Sequence, residues 1–134
     1  FLCEPGKDCS DIFNTACDRA VDSEFAGGII YILPESIILK KQSDSLEFCV
    51  IGSQTRDSWR PNTVFYFSGD PSNYQDNQGC QLFNYSSLKN VGIKTDGQGL
   101  YAVSTVEGNA IIENCYFDSS ASLLCFYSCT IDKC

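Results

Sequence analysis

Ile112-Glu113-Asn114-Cys115 returns 19 residues later as Ile131-Asp132-Lys133-Cys134, and Leu88-Lys89-Asn90-Val91 stands 24 residues before it. Intervals of that size belong to solenoids, in which each coil of chain lies on the previous one. In a parallel coil the equivalent residues of successive turns stack about 4.8 Å apart. Ile112 is therefore expected over Leu88 and under Ile131 as one aliphatic ladder. The same interval sets Glu113 beside Asp132, and Cys115 beside Cys134 within the roughly 4.4 to 6.8 Å Cα span of a disulfide. A Cys115–Cys134 bridge between neighbouring coils is expected from that register.

The rest of the chain is compatible with such a stack. Short runs rich in β-branched and aromatic residues read as strands: 29–33, 37–39, 46–51, 64–67, 91–93, 100–103, 110–112 and 123–127. Turn-rich clusters such as 68–79 and 94–99 separate them, and no second helical face lies between them. A doubly wound α/β fold would need such crossover helices, which leaves an antiparallel sandwich or a strand-only solenoid. The partial repeats favour the solenoid. In the first strand, Ile29, Ile30, Tyr31, Ile32 and Leu33 are expected to alternate between core and solvent, with one of Ile30 and Ile32 far more sensitive to a charge than the other.

Ahead of the strands, Ile12, Phe13, Ala16, Cys17, Ala20 and Val21 recur at helical spacing and predict one short amphipathic helix. Ser10 is its expected N-cap, with Asp11 in the first turn. Gly27 and Gly28 let the chain leave the helix sharply for the first strand, and Pro34 marks a corner. Without a following G-x-G-x-x-G pattern or P-loop Lys, the glycine pair reads as punctuation and not as a phosphate site.

From residue 17 through 53 the sequence resembles the opening of pectin-lyase-like right-handed β-helix proteins, where a capping helix leads through Gly-Gly into paired strands. From Gly99 to Cys134 it is similar to the repeats of polymorphic membrane proteins and other surface β-helices, in which an I-x-N-C-x-F pattern marks successive coils. Residues 52–81 carry no part of the resemblance. Glu35-Ser36 stands where those proteins usually have a Gly-containing turn, and Asp118-Ser119-Ser120 where Asn is common. The implied fold is all-β: a short right-handed parallel β-helix of about four to five coils at roughly 20 to 25 residues each. An N-terminal cysteine-rich segment and capping helix would occupy 1–28 and the β-helix 29–134, as one domain.

Nine cysteines in 134 residues (Cys3, Cys9, Cys17, Cys49, Cys80, Cys115, Cys125, Cys129 and Cys134) point to structural disulfides and a secreted or cell-surface setting. The chain has no His and no C-x-x-C, so no metal or cofactor is expected. An odd count leaves one thiol over, and Cys3 is the expected candidate for an intermolecular bond. Asn84-Tyr85-Ser86 is a glycosylation sequon that fits a secretory route. Phe1 reads as a processed start, from which a leader has been removed. The net charge of −8 disfavours nucleic acid and anionic membrane surfaces. No run approaches the roughly 20 apolar residues of a membrane span.

The resemblance implies an extended carbohydrate groove, so a polysaccharide lyase or hydrolase is one reading. Glu113 and Asp132 form the carboxylate pair that such chemistry, or a cation, would use, although a solvated acidic face gives the same pattern. Arg56, Trp59 and Arg60 suit a sugar contact or a cation–π patch. No G-x-S-x-G and no Cys–His pair is present, and no catalytic residue is assigned. The leading expectation is an extracellular structural or adhesive module, with carbohydrate binding as the alternative. The last coil is expected to present an uncovered strand edge and apolar end. Its anticipated partners are further copies, giving an oligomer or filament, or neighbouring coils of a larger surface protein.

Overall fold

The computed structural model describes residues 1–22, 28–32, 36–44, 46, 48–54, 60–83, 85–96, 99–118, 121–125 and 128–134. Gly27, Leu33, Pro34, Glu35, Arg56, Trp59, Asn84, Ser119, Ser120 and Tyr127 lie outside these residues, as does the side chain of Cys125.

Helix α1 (Ser10–Val21) is followed by strands β1 (Ile29–Tyr31), β2 (Ser36–Leu39), β3 (Cys49–Ile51), β4 (Thr63–Phe67), β5 (Gln78–Leu82), β6 (Ser87–Lys89), β7 (Val91–Thr95), β8 (Tyr101–Thr105), β9 (Ala110–Glu113), β10 (Tyr116–Phe117), β11 (Leu123–Cys125) and β12 (Cys129–Asp132). All the strand pairs are parallel, in three sheets: β1-β3-β6-β9-β12, β2-β4-β7-β10 and β5-β8-β11. The chain therefore winds as a β-solenoid.

The aliphatic ladder forms in the register that the repeat implies: Leu88 opposes Ile112, and Ile112 opposes Ile131. Val50 extends it on the other side of Leu88. Val50, Leu88 and Ile112 are fully buried, whereas Ile131 on the last rung remains 50% exposed.

The stack has about three turns, fewer than the four to five that uniform coils would give. The cause is one long rung. Cys49 pairs with Ser87, 38 residues on, whereas Ile112 and Ile131 are 19 apart. Two excursions consume the extra chain: 53–62, closed by a Gln54–Pro61 bridge, and 68–77, which contains two 3-10 turns. Strand β5 follows the second excursion. Its sequence, Gln78-Gly79-Cys80-Gln81-Leu82, carries no β-branched residue and reads as turn. It is a buried strand because its polar groups are satisfied inside: Gln78 Oε1 accepts from Ser104 Oγ and from Gln81 Nε2.

The helix closes the first rung with a narrower stripe than its spacing suggests. Phe13, Cys17 and Ala20 are buried and belong to the same core as the strands, while Ile12 and Val21 face solvent. Phe13 packs edge-on against Phe65 with ring centroids 5.4 Å apart. Ser10 is the first helical residue and not the cap. Asp8 Oδ1 accepts from Ser10 N–H at 3.0 Å, and the Ser10 hydroxyl instead accepts from Lys40 and Lys41 N–H, tying the helix to the end of β2. Ile30 and Ile32 lie two residues apart on one side of the chain, and both are half-buried against the core. Because they share one face, a charge at either position is expected to cost a comparable amount.

Cys3 and Cys9 form a disulfide, so Cys3 is not the spare thiol expected from the odd count. Cys17, Cys49, Cys80, Cys115, Cys129 and Cys134 are thiols.

One corner bond recurs from rung to rung. Gly52 N–H donates to Lys89 O at 2.9 Å, Asn90 N–H to Glu113 O at 3.1 Å, and Asn114 N–H to Asp132 O at 2.9 Å. Asn90, Asn114 and Lys133 occupy this corner with φ of 56°, 50° and 54°, the left-handed region that Asn tolerates better than most residues. Asn114 Nδ2 also donates to Asn90 Oδ1 at 2.8 Å, forming a short amide ladder. Asn114→Ala is expected to cost about 2 kcal/mol, the sum of a lost hydrogen bond and a left-handed Ala. Chemical denaturation would measure it, and an unchanged midpoint would show that the ladder contributes nothing.

Candidate functional site

The outer face of the β2-β4-β7-β10 sheet forms a groove of about 540 Å³. Period-2 alternation supplies its floor. Thr63, Phe65 and Phe67 of β4 point into the core, which turns Val64 and Tyr66 outward. The pairings Ser36–Val64, Val64–Gly92 and Gly92–Tyr116 align one row, and Ile38–Tyr66 and Tyr66–Lys94 the next. Asp118 stands at the end of the second row, its N–H donating to Ile93 O at 2.9 Å. Gly92 leaves the floor low between Val64 and Tyr116.

The 53–62 excursion provides one wall. Arg60 and Pro61 line the groove, and the Arg60 guanidinium sits 4.4 Å from the centre of the Tyr116 ring. Such a cation–π contact holds both groups in one orientation. The excursion is anchored to the corner ladder, since Asn114 Nδ2 donates to Gln54 Oε1.

Near the groove, Asp96 accepts from Ser68 Oγ at 2.9 Å and from Gly69 N–H at 3.2 Å. Desolvation acts to raise its carboxyl, but these bonds and one from Tyr66 outweigh that and keep it below the usual carboxylate range. Desolvation and the Asp96 charge push the Tyr66 phenol upward. The groove thus presents a neutral phenol braced from behind, a ring stacked under a cation, the Lys94 ammonium and the Asp118 carboxylate.

Of the residues singled out by sequence, Arg60 lies in this groove. Glu113 and Asp132 do stand side by side, but on the β9–β12 pair of another sheet, where Glu113 forms an ion pair with Lys89 at 3.2 Å. A partner cation and partial exposure of both side chains suit a solvated face. Among the described residues, no three His, Cys, Asp or Glu side chains group to hold a metal. Tyr66, Lys94, Tyr116 and Asp118 were not foreseen. Their signal was the strand alternation itself, which shows only when the three strands are set in register. No helix among the described residues is long and apolar enough to cross a membrane.

The fold and the groove define a capped β-solenoid with an aromatic and charged trough on one sheet. The chain matches no family model, no curated protein and no solved structure.

Proposed function

We propose that the chain is an adhesive module, secreted or displayed at a cell surface, that binds a glycan along the outer face of the β2-β4-β7-β10 sheet. The observation that carries this reading is that two adjacent rows of the sheet, with Tyr66 and Lys94 in one and Tyr116 in the other, share one groove with Arg60 of the neighbouring wall. Half-buried rings lining a groove offer apolar surface to the C–H face of a pyranose, and neighbouring charges take its hydroxyls. Four strands at about 4.8 Å spacing give a trough about 14 Å across, and one rung is close to the length of one sugar unit. Binding fits better than hydrolysis. Asp118 is the one carboxylate among the described lining residues, whereas glycoside hydrolysis ordinarily takes two. Nine cysteines, with Cys3 joined to Cys9, support the oxidising setting.

Titration calorimetry against neutral and acidic oligosaccharides tests the proposal. Tyr116→Ala is expected to weaken binding at least about tenfold, or about 1.4 kcal/mol, while Glu113→Gln, on the other sheet, leaves it unchanged. No binding by the native chain to any of these sugars at millimolar concentration would refute it.

A second reading, association through the edge of β12, is favoured by Ile131. It faces the inside of the stack yet is half exposed, beside the outer strand edge of β12. Sedimentation at tens of micromolar, with and without reductant, tests it, and a monomer in both conditions would count against it.

A further inference from the structure

We propose that Cys115 and Cys134 are a redox pair that closes into a disulfide between successive rungs when a small disulfide, such as oxidised glutathione, reaches Cys134. Their environments are the same, displaced by one rung. The Cys115 thiol lies 3.4 Å from Leu88 O and 3.5 Å from Glu113 O; the Cys134 thiol lies 3.6 Å from Ile112 O and 3.4 Å from Asp132 O. Leu88 is the register partner of Ile112, and Glu113 that of Asp132. The residues just before the two cysteines, Asn114 and Lys133, share the left-handed corner conformation, so the strands stay aligned up to the sulfurs.

A displacement of about 4.8 Å falls within the Cα span of disulfides and slightly beyond their usual Cβ span of about 3.5 to 4.5 Å. Closure therefore requires a small movement. Cys134 is exposed on the outermost rung and is free to make it.

Strand register pairs none of the other described cysteines with each other or with these two, although Cys80 lies close enough to Cys17 and Cys115 for their charges to interact. Cys80 stands opposite Val103, Cys49 between Ile29 and Ser87, Cys129 opposite Ala110, and Cys125 opposite Thr105. Among the described strands and corners, Cys115 and Cys134 are the one in-register cysteine pair.

Accessibility sets the order of events. Cys115 is 3% exposed, and burial, with Cys134 and Cys80 nearby, pushes its thiol up to about 12. Cys134 reacts first. Its thiolate sulfur attacks one sulfur of oxidised glutathione, the glutathione S–S bond breaks, and one glutathione leaves as thiolate and takes up a proton. The Cys115 thiol then loses its proton to solvent and attacks the Cys134 sulfur. The bond from Cys134 to glutathione breaks and a second reduced glutathione leaves. Two protein thiols are oxidised and one glutathione disulfide is reduced.

The test is to expose the native chain to oxidised glutathione, block remaining thiols by alkylation, and map the peptides by mass spectrometry without reduction. The expected product links the peptides of Cys115 and Cys134, with Cys3–Cys9 linked as the internal control. Cys115→Ser should stop at glutathione on Cys134, and Cys134→Ser should leave Cys115 alkylated only after unfolding. Finding both thiols alkylated in the oxidised native chain, or either one bonded to a different cysteine, would overturn the proposal without recourse to any variant.

Discussion

Replacing Ile112 by Ala is expected to lower the unfolding free energy by about 4 kcal/mol, toward the upper part of the range for buried aliphatic truncations. Ile112 is fully buried and has a ladder neighbour on each side, Leu88 and Ile131, so the deletion opens a void that neither rung can fill without breaking its own register. The comparison that makes this specific is Ile131→Ala. The same side chain in the same column, one rung further out, is half exposed, and its truncation should cost less than about 1 kcal/mol. Urea unfolding of the two variants measures the gradient directly. Equal losses would mean that the column does not act as a stacked core.

Gly52→Ala is expected to cost about 3 kcal/mol, for a steric reason unrelated to hydrophobicity. A Cβ at residue 52 would lie 2.3 Å from Asn90 O and 2.8 Å from Thr63 Cβ. The first of these is backbone on the next rung, and the second is a β-branched, fully buried residue, so neither yields easily. Displacing either also pulls on the Gly52 N–H bond to Lys89 O that begins the corner series. Gly92→Ala provides the contrast. Its Cβ would meet Val64 Cγ2 at 3.2 Å, a methyl on the open groove face that turns aside at a cost below about 1 kcal/mol. Thermal melts of the pair would show whether corner approach or glycine content governs stability.

The aliphatic ladder was legible because one tetrapeptide recurs with its corner residue attached. Asn90, Asn114 and Lys133 fill one backbone site on successive rungs, and Leu88, Ile112 and Ile131 fill one column, so spacing alone determined who stacks on whom. Strand β5 was not legible, since the residues that make it a strand include a glycine and two glutamines, one bonded to the other and to Ser104, 26 positions on. The number of turns was misread for a related reason. Average coil length hides a rung that leaves the stack twice, and the polar excursions carry no mark of where the stack resumes. The groove was the least legible feature. Each of its strands contributes about two outward residues, ordinary in isolation, and Tyr66 and Tyr116 come to one groove only after their strands are paired through β7, at Lys94 and Gly92. Arg60 was singled out for its aromatic surroundings in sequence, whereas the ring it covers is Tyr116, 56 positions on.

The excursion at 53–62 has an evolutionary consequence. It supplies Arg60 and Pro61 to the trough, yet it begins and ends beside the stack through Gln54 and Pro61, and the inward columns of Val50, Leu88 and Ile112 owe it nothing. One wall of the trough and the inward columns are therefore written in separate stretches of the gene. Lengthening, shortening or recharging this stretch changes the wall of the trough at little cost to the coil beneath it, because loop closure grows more costly only slowly with length. Insertion and deletion here reshape that wall, while the rungs are held to a much stricter alphabet.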